Sequence, residues 1–146
     1  MIVLKPICSD NINDFNETSY NGMSSKQKQD MITESINKIH NGAYFELLAV
    51  YENDLIIGFM SLFAHSKHII SCGPVIKKSF QNKGFGFSAE TSALEYAKSR
   101  GYTIAVGGVD ESNAESIALH EKLGFEMDRK YINKQGRTIR LYIKAL

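Results

Sequence analysis

The chain has 146 residues, 43% hydrophobic and 23% charged, the make-up of a globular protein long enough to build one core without disulfides or metals. Lys plus Arg is 17 and Asp plus Glu is 16, a formal charge of +1, which argues against a general electrostatic nucleic-acid binder. No stretch reaches the ~20 apolar residues that cross a bilayer, and the composition excludes disorder and collagen-like repeats.

Ile2 to Ile7 carries β-branched residues and reads as a strand; the start lacks the pattern of a signal peptide. Asp10 to Tyr20 is polar, with Ile12 and Phe15 spaced like one short helical turn, and Asn21-Gly22 signals a turn. Lys26 to His40 reads as a helix with the stripe Ile32, Ile36 and Ile39, closed by Asn41-Gly42. Three apolar runs follow: Tyr44 to Tyr51, Leu55 to Ala64 and Ile69 to Ile76. Short polar turns join them, the mark of an antiparallel meander.

Gly84 to Arg100 returns to helix, with Ala93, Leu94 and Ala97 on one face and Gly101 at its C-terminal end. Thr103 to Val109 is a strand. Ser112 to Leu123 is a helix opened by the capping-box spacing Ser112-x-x-Glu115 and ended by Gly124. Phe125 to Asn133 and Arg137 to Ile143 form a final hairpin. The order β-α-α-β-β-β-α-β-α-β-β defines a mixed α/β fold, expected as a single domain over residues 1–146. Cys8 and Cys72 have no CxxC spacing, and His40, His65, His68 and His120 have no zinc-finger spacing. We therefore expect free thiols, a cytoplasmic location and no metal.

The segment that carries chemistry is Gln81-Asn82-Lys83-Gly84-Phe85-Gly86, after a strand and before a helix. Glycines let the backbone turn sharply, so its N–H groups converge on an anion at the positive end of the helix. Lys77, Lys78 and Lys83 add charge nearby. The alternative is a tight turn with no ligand. A P-loop would need Gly-Lys-Ser/Thr, but Phe87 and Ser88 follow Gly86. A dinucleotide fingerprint would need an acid about 20 residues further on, and none lies in Gly101 to Val109.

Gln81-x-x-Gly84-x-Gly86 resembles the acyl-CoA pyrophosphate loop of the GCN5-related N-acetyltransferase superfamily. A second block, Asn113 with Ser116-Ile117-Ala118-Leu119-His120-Glu121-Lys122-Leu123-Gly124-Phe125, resembles that family's Asn-x-x-(Ala/Ser)-x-x-Leu-Tyr-x-Lys-x-Gly-Phe. The resemblance implies acetyl-CoA in a V-shaped gap between the fourth and fifth strands. Backbone N–H groups of Gln81, Asn82, Lys83, Gly84, Phe85 and Gly86 would hold the pyrophosphate. Val75 and Ile76 would pair with the pantetheine arm, and Asn113 would bond it from the other side. The implied activity is acetyl transfer to the primary amine of a small molecule or peptide, with no nucleic-acid or membrane partner and with room for a homodimer through the final hairpin. The second reading is a non-catalytic acyl-CoA sensor on the same fold.

Three residues depart from the family pattern. His120 replaces the usual Tyr acid; it either protonates the leaving thiolate or only caps its helix. Pro74 has no N–H for the thioester carbonyl, which moves that role to Val75 or Ile76. Glu90 falls on an apolar helix face, as a structural bond to a strand or as part of the catalytic site. The base is left open among Glu46, His65, His68 and water. Cys72 is either a contact near the thioester or a small buried residue. The resemblance assigns acceptor specificity to Thr18 to Lys26 and Tyr131 to Arg140, with Tyr20, Met23 and Tyr131 as candidate linings. Tyr44 and Tyr142 read as packing aromatics.

Overall fold

The computed structural model describes residues 1–146. Strands β1 (Ile2–Pro6), β2 (Phe45–Glu52), β3 (Leu55–Ala64) and β4 (Ile69–Ile76) form the expected antiparallel meander. Helix α1 (Ser25–Asn37) precedes β2, and α2 (Phe85–Ser99) crosses over to β5 (Ile104–Asp110). Then come α3 (Ala114–Lys122), β6 (Glu126–Ile132) and β7 (Thr138–Ala145). All seven strands lie in one sheet, ordered β1-β2-β3-β4-β5-β7-β6, so β7 inserts between β5 and β6.

The parallel pairing of β4 with β5 is short, consisting of Ile69 with Ile104 and Ile70 with Ala105. Beyond that point the strands part, and the V opens between the fourth and fifth strands as expected. Pro74 helps keep it open, because it offers no N–H across the gap.

Both faces of the sheet are covered, which is why β2 reads as a continuous apolar run rather than an alternation. Leu48 and Val50 face α2 in a core with Met60, Leu62, Ile70, Ala93 and Ala105. Leu47 and Ala49 face α1 with Ile7, Phe15, Ile32 and Phe59. Phe59 and Ile70 are fully buried, and a side chain of that kind contributes about 1.5–3 kcal/mol of hydrophobic stabilisation.

Three local readings are corrected. The turn expected over Asp10 to Tyr20 is two 3-10 segments, Ser9–Phe15 and Ser19–Gly22. Helix α1 stops at Asn37, because Lys38 takes the left-handed conformation at φ 57°, and Asn41-Gly42 instead turns a small bridge between His40 and Ala43. The Ile stripe does not face the core, since Ile36 is 53% and Ile39 50% exposed. The buried face runs through Ile32 and Ser35. Ser35 Oγ donates to the Leu47 carbonyl at 3.0 Å and accepts from the Leu47 N–H at 2.8 Å. Those two buried bonds fix the helix's rotation in a way that apolar spacing does not encode.

Candidate active site

The gap between β4 and β5 continues into a cleft of about 700 Å³. Its walls come from β3, β4, the loop before α2, β5 and α3. At one end lies the N-terminus of α2. Gly84 is its cap at φ 80°, and no side chain bonds to the first turn. The leading N–H groups of α2 are therefore free to bind an anion. The positive φ explains the glycine. Gly86 answers to space: a Cβ there would meet nothing closer than 4.0 Å, leaving the backbone open to a ligand. Gln81, Asn82, Gly84, Phe85 and Gly86 all line the cleft. Gln81 also ties the loop to β4, its side-chain amide donating to the Ile76 carbonyl at 3.0 Å.

The lysines divide. Lys77 is buried and donates to Asn16 Oδ1 at 3.1 Å, so it is not available to a phosphate. Lys78 and Lys83 are exposed beside the loop, with the Lys83 ammonium 5.6 Å from the Phe80 ring.

Backbone alternation along β4 decides which groups face the cleft. The Lys77 N–H donates to the Ile57 carbonyl, and the Ile69 carbonyl accepts from the His65 N–H, both at 2.8 Å. Odd-numbered residues therefore turn their peptide groups toward β3, and even-numbered ones toward the cleft. This corrects the expectation for Val75, whose N–H belongs to the β3 side. Ile76 keeps its assigned direction. Pro74 also faces the cleft but has no N–H, so Cys72 joins Ile76 as a backbone donor.

On the opposite wall Asn113 caps α3, accepting from the Ser116 N–H at 3.1 Å. The expected capping box from Ser112 is not made, because both the Ser112 N–H and its hydroxyl donate to Asp110. With its oxygen used by the helix, Asn113 has its amide N–H groups left for a ligand in the cleft it lines.

His120 is 8% exposed and lines the same cleft. Its Nδ1 lies 2.7 Å from the Ser116 carbonyl. A carbonyl only accepts, so Nδ1 carries the proton and a neutral ring leaves its lone pair on Nε2. Phe125 and Tyr142 hold the ring with centroids 5.0 and 5.4 Å away. Nε2 lies over Gly107, where a Cβ would approach to 2.6 Å. His120 thus bonds its own helix through one nitrogen and offers the other to the cleft. Extending the β4–β5 register places Cys72 level with Gly107, and so with His120.

Glu90 is fully buried, and neither of its carboxylate oxygens has a hydrogen-bond partner within the protein. The expected bond to a strand is not made, and Glu90 is not among the cleft-lining residues. Burial pushes its carboxyl up to about 8. Burial and then the neighbouring Glu90 push the Cys72 thiol up to about 12, so Cys72 lines the cleft as an unreactive thiol.

Glu46 is also excluded from the site. It is buried at the C-terminal end of α2, accepting from Tyr44 at 2.6 Å and Tyr96 at 2.9 Å. Tyr44 and Tyr142 pack as expected, while neither Tyr20, Met23 nor Tyr131 lines the cleft directly. The Tyr131 hydroxyl closes over Gly108, whereas Tyr20 packs edge-on against Phe15 and Phe59. Sequence reading missed Ser61, Phe63 and Ser71 as lining residues. Serines interrupting apolar strands were the available signal.

The fold thus presents one cleft between two splayed parallel strands, with the open N-terminus of α2 at its edge. The chain belongs to the Acetyltransferase (GNAT) family, whose model matches residues 10–125. It is 26% identical over 88 residues to the L-amino acid N-acyltransferase MnaT of Escherichia coli, covering 57% of this chain and 51% of that protein. The chain thus spans about half the length, or less, of the curated relatives it matches. A spermidine N-acetyltransferase SpeG chimera from Vibrio cholerae and hSSAT superposes with a TM-score of 0.84 at 15% identity, covering 98% of this chain and 95% of that one. The yncA protein from Salmonella typhimurium, solved with its cofactor acetyl-CoA, superposes at 0.78 and 15% identity, covering 99% of this chain and 94% of that one. No helix is long and apolar enough to cross a membrane, and no group of three or more His, Cys, Asp and Glu is placed to hold a metal.

Proposed function

We propose that this chain is an acetyl-CoA-dependent N-acetyltransferase that moves the acetyl group directly to a primary amine of a small molecule or peptide. The observation that carries this reading is a single cleft lined both by the open N-terminus of α2 and by His120 with Cys72. The first holds a pyrophosphate; the second holds a thioester.

The loop from Gln81 to Gly86 binds the diphosphate with backbone N–H groups, helped by exposed Lys78 and Lys83. Ile76 pairs with the pantetheine arm from β4, and Asn113 bonds it from α3. The Cys72 N–H stabilises the oxygen that becomes negative as the amine attacks the thioester carbonyl. His120, when protonated, gives its Nε2 proton to the departing thiolate. Ser116 holds Nδ1 throughout, which keeps Nε2 aimed at the sulfur.

Glu115 is the one carboxylate that lines the cleft. One carboxylate is a poor match for a polyamine's several cations, so the walls favour an amino-acid-like amine or a peptide N-terminus. Free Cys8 and Cys72 support a reducing compartment such as the cytoplasm. The exposed edge strand β6, with Met127, Tyr131 and Ile132, is the surface a homodimer would use.

The test is thiol release from acetyl-CoA across amino acids, peptides and polyamines. We expect turnover with at least one amine. His120→Phe should lower kcat roughly 100-fold or more, the usual scale for a general acid, with little change in acetyl-CoA affinity. Tight acetyl-CoA binding with no turnover on any amine would mean a sensor instead.

A further inference from the structure

We infer that Ser71 and His65 form a proton relay at the apex of the V, taking a proton from the acceptor ammonium; the inference rests on the acetyltransferase reading above. The backbone ladder between β4 and β5 ends at Ile70 and Ala105. At the next residue, a side chain replaces the ladder: Ser71 Oγ lies 2.8 Å from the Val106 carbonyl and donates to it. The same oxygen lies 2.6 Å from His65 Nε2. Ser71 lines the cleft, and His65 is exposed beside it.

Ser71 sits on the acceptor side. Its odd number puts its side chain on the α1 face of the sheet with Ser61 and Phe63, opposite the face that carries α3 and His120. An amine entering from that face meets the Ser71 hydroxyl one residue from Cys72. A direct contact with a base is not available there, since Ser61, Phe63, Ser71, Gly73 and Gly108 supply that wall and none of them titrates near neutrality.

The proton count balances. Before transfer, neutral His65 carries its proton on Nδ1, and the Ser71 hydroxyl rotates from the Val106 carbonyl to donate to the Nε2 lone pair, while Ser71 Oγ accepts from the substrate ammonium. As the N–H bond of the ammonium breaks, a new O–H bond forms on Ser71, and the old Ser71 proton passes to Nε2. The products are a neutral amine, an intact serine and an imidazolium. In that final state Nε2–H donates to Oγ, and the new Ser71 O–H donates to the Val106 carbonyl, so both observed contacts are satisfied at once. The exposed imidazolium returns its proton to solvent.

The charged and titratable surroundings of His65 are few. Lys67 and His68 share its turn. The Phe63 ring packs edge-on against it at 5.5 Å, and His40, hydrogen-bonded to Glu34, lies on the far side of Phe63. No carboxylate is paired with His65, which leaves it free to act as a base.

The test is the pH dependence of kcat/KM on an amine that the wild type acetylates, compared among wild type, His65→Gln, Ser71→Ala and the double variant, with thermal melts of each. We expect the wild type to show an acidic limb, and His65→Gln to lose that limb and fall roughly 10–100-fold, the lower part of the range for general bases. The double variant should be no worse than Ser71→Ala alone, because both steps lie on one route. A wild-type acidic limb retained in His65→Gln, or multiplicative losses in the double variant, overturns the relay while leaving the acetyltransferase intact. Equal losses at every pH that track a lowered melting temperature also overturn it, since a purely structural latch behaves that way. A wild type silent on all amines overturns the acetyltransferase reading and the relay together.

Discussion

Glu90 should make this protein lose stability as the pH rises from acid to neutral. Its carboxyl is pushed from 4.5 to about 8, with burial as the cause, and it is fully buried without a hydrogen-bond partner. Below pH 4.5 the group is protonated in both the folded and the unfolded chain and contributes no pH dependence. Above that value the unfolded chain releases the proton while the folded chain retains it. Stability then falls by about 1.4 kcal/mol per pH unit until the folded group also ionises near pH 8. Between pH 4.5 and pH 7 the loss amounts to roughly 3 kcal/mol. Glu90→Gln keeps the shape and the polar atoms but cannot titrate. It should match the wild type near pH 4.5 and exceed it by roughly 3 kcal/mol at pH 7, or roughly 6–12 °C in melting temperature for a chain of this size. Glu90→Met also removes the unsatisfied oxygens, and should add about 1–3 kcal/mol at every pH. The assay is urea unfolding at half-unit pH steps from 4.5 to 8, with m-values checked for constancy. A stability gap between wild type and Glu90→Gln that stays flat across that range would falsify the raised carboxyl. Acetyl transfer by Glu90→Gln should stay within a few-fold of wild type; a 100-fold loss in the folded variant would instead put Glu90 in the chemistry.

Two further predictions concern the cleft. Gly107→Ala places a methyl where His120 Nε2 now lies 2.6 Å away, so it should displace the ring and lower kcat roughly 10–100-fold, with acetyl-CoA affinity little changed. A crystal structure of the variant with His120 unmoved would refute that account. Gly84→Val forces a β-branched residue to φ 80° at the head of α2, a strain of roughly 1–3 kcal/mol. It should weaken acetyl-CoA binding in calorimetry, whereas unchanged affinity would show that the α2 N-terminus does not hold the diphosphate.

Much of the site was legible in the sequence because it is built from backbone. Gln81 to Gly86 was legible as a glycine turn between a strand and a helix, and the first turn of α2 has no side-chain cap. Asn113 and His120 were recognisable by position within one short block. What stayed hidden depended on residues far apart in the chain. Glu46 and Glu90 are both buried carboxylates facing the α2 side, yet Glu46 has Tyr44 and Tyr96 as donors and Glu90 has none. Lys77 looked like part of a basic loop, but Asn16 takes its ammonium.

The sequence by itself determined the order of strands and helices, the mixed α/β fold and the family, because hydrophobic period, turn residues and glycine spacing are local properties. Tertiary structure alone decided which groups face the cleft. The alternation of β4 turns Cys72 and Ile76 toward the gap and Val75 away, a parity set by pairing with β3. The end of the β4–β5 ladder leaves Ser71 to bridge to Val106 and meet His65. Contacts between residues 71 and 106 are fixed by sheet register, and no local pattern in the chain specifies where two parallel strands stop pairing.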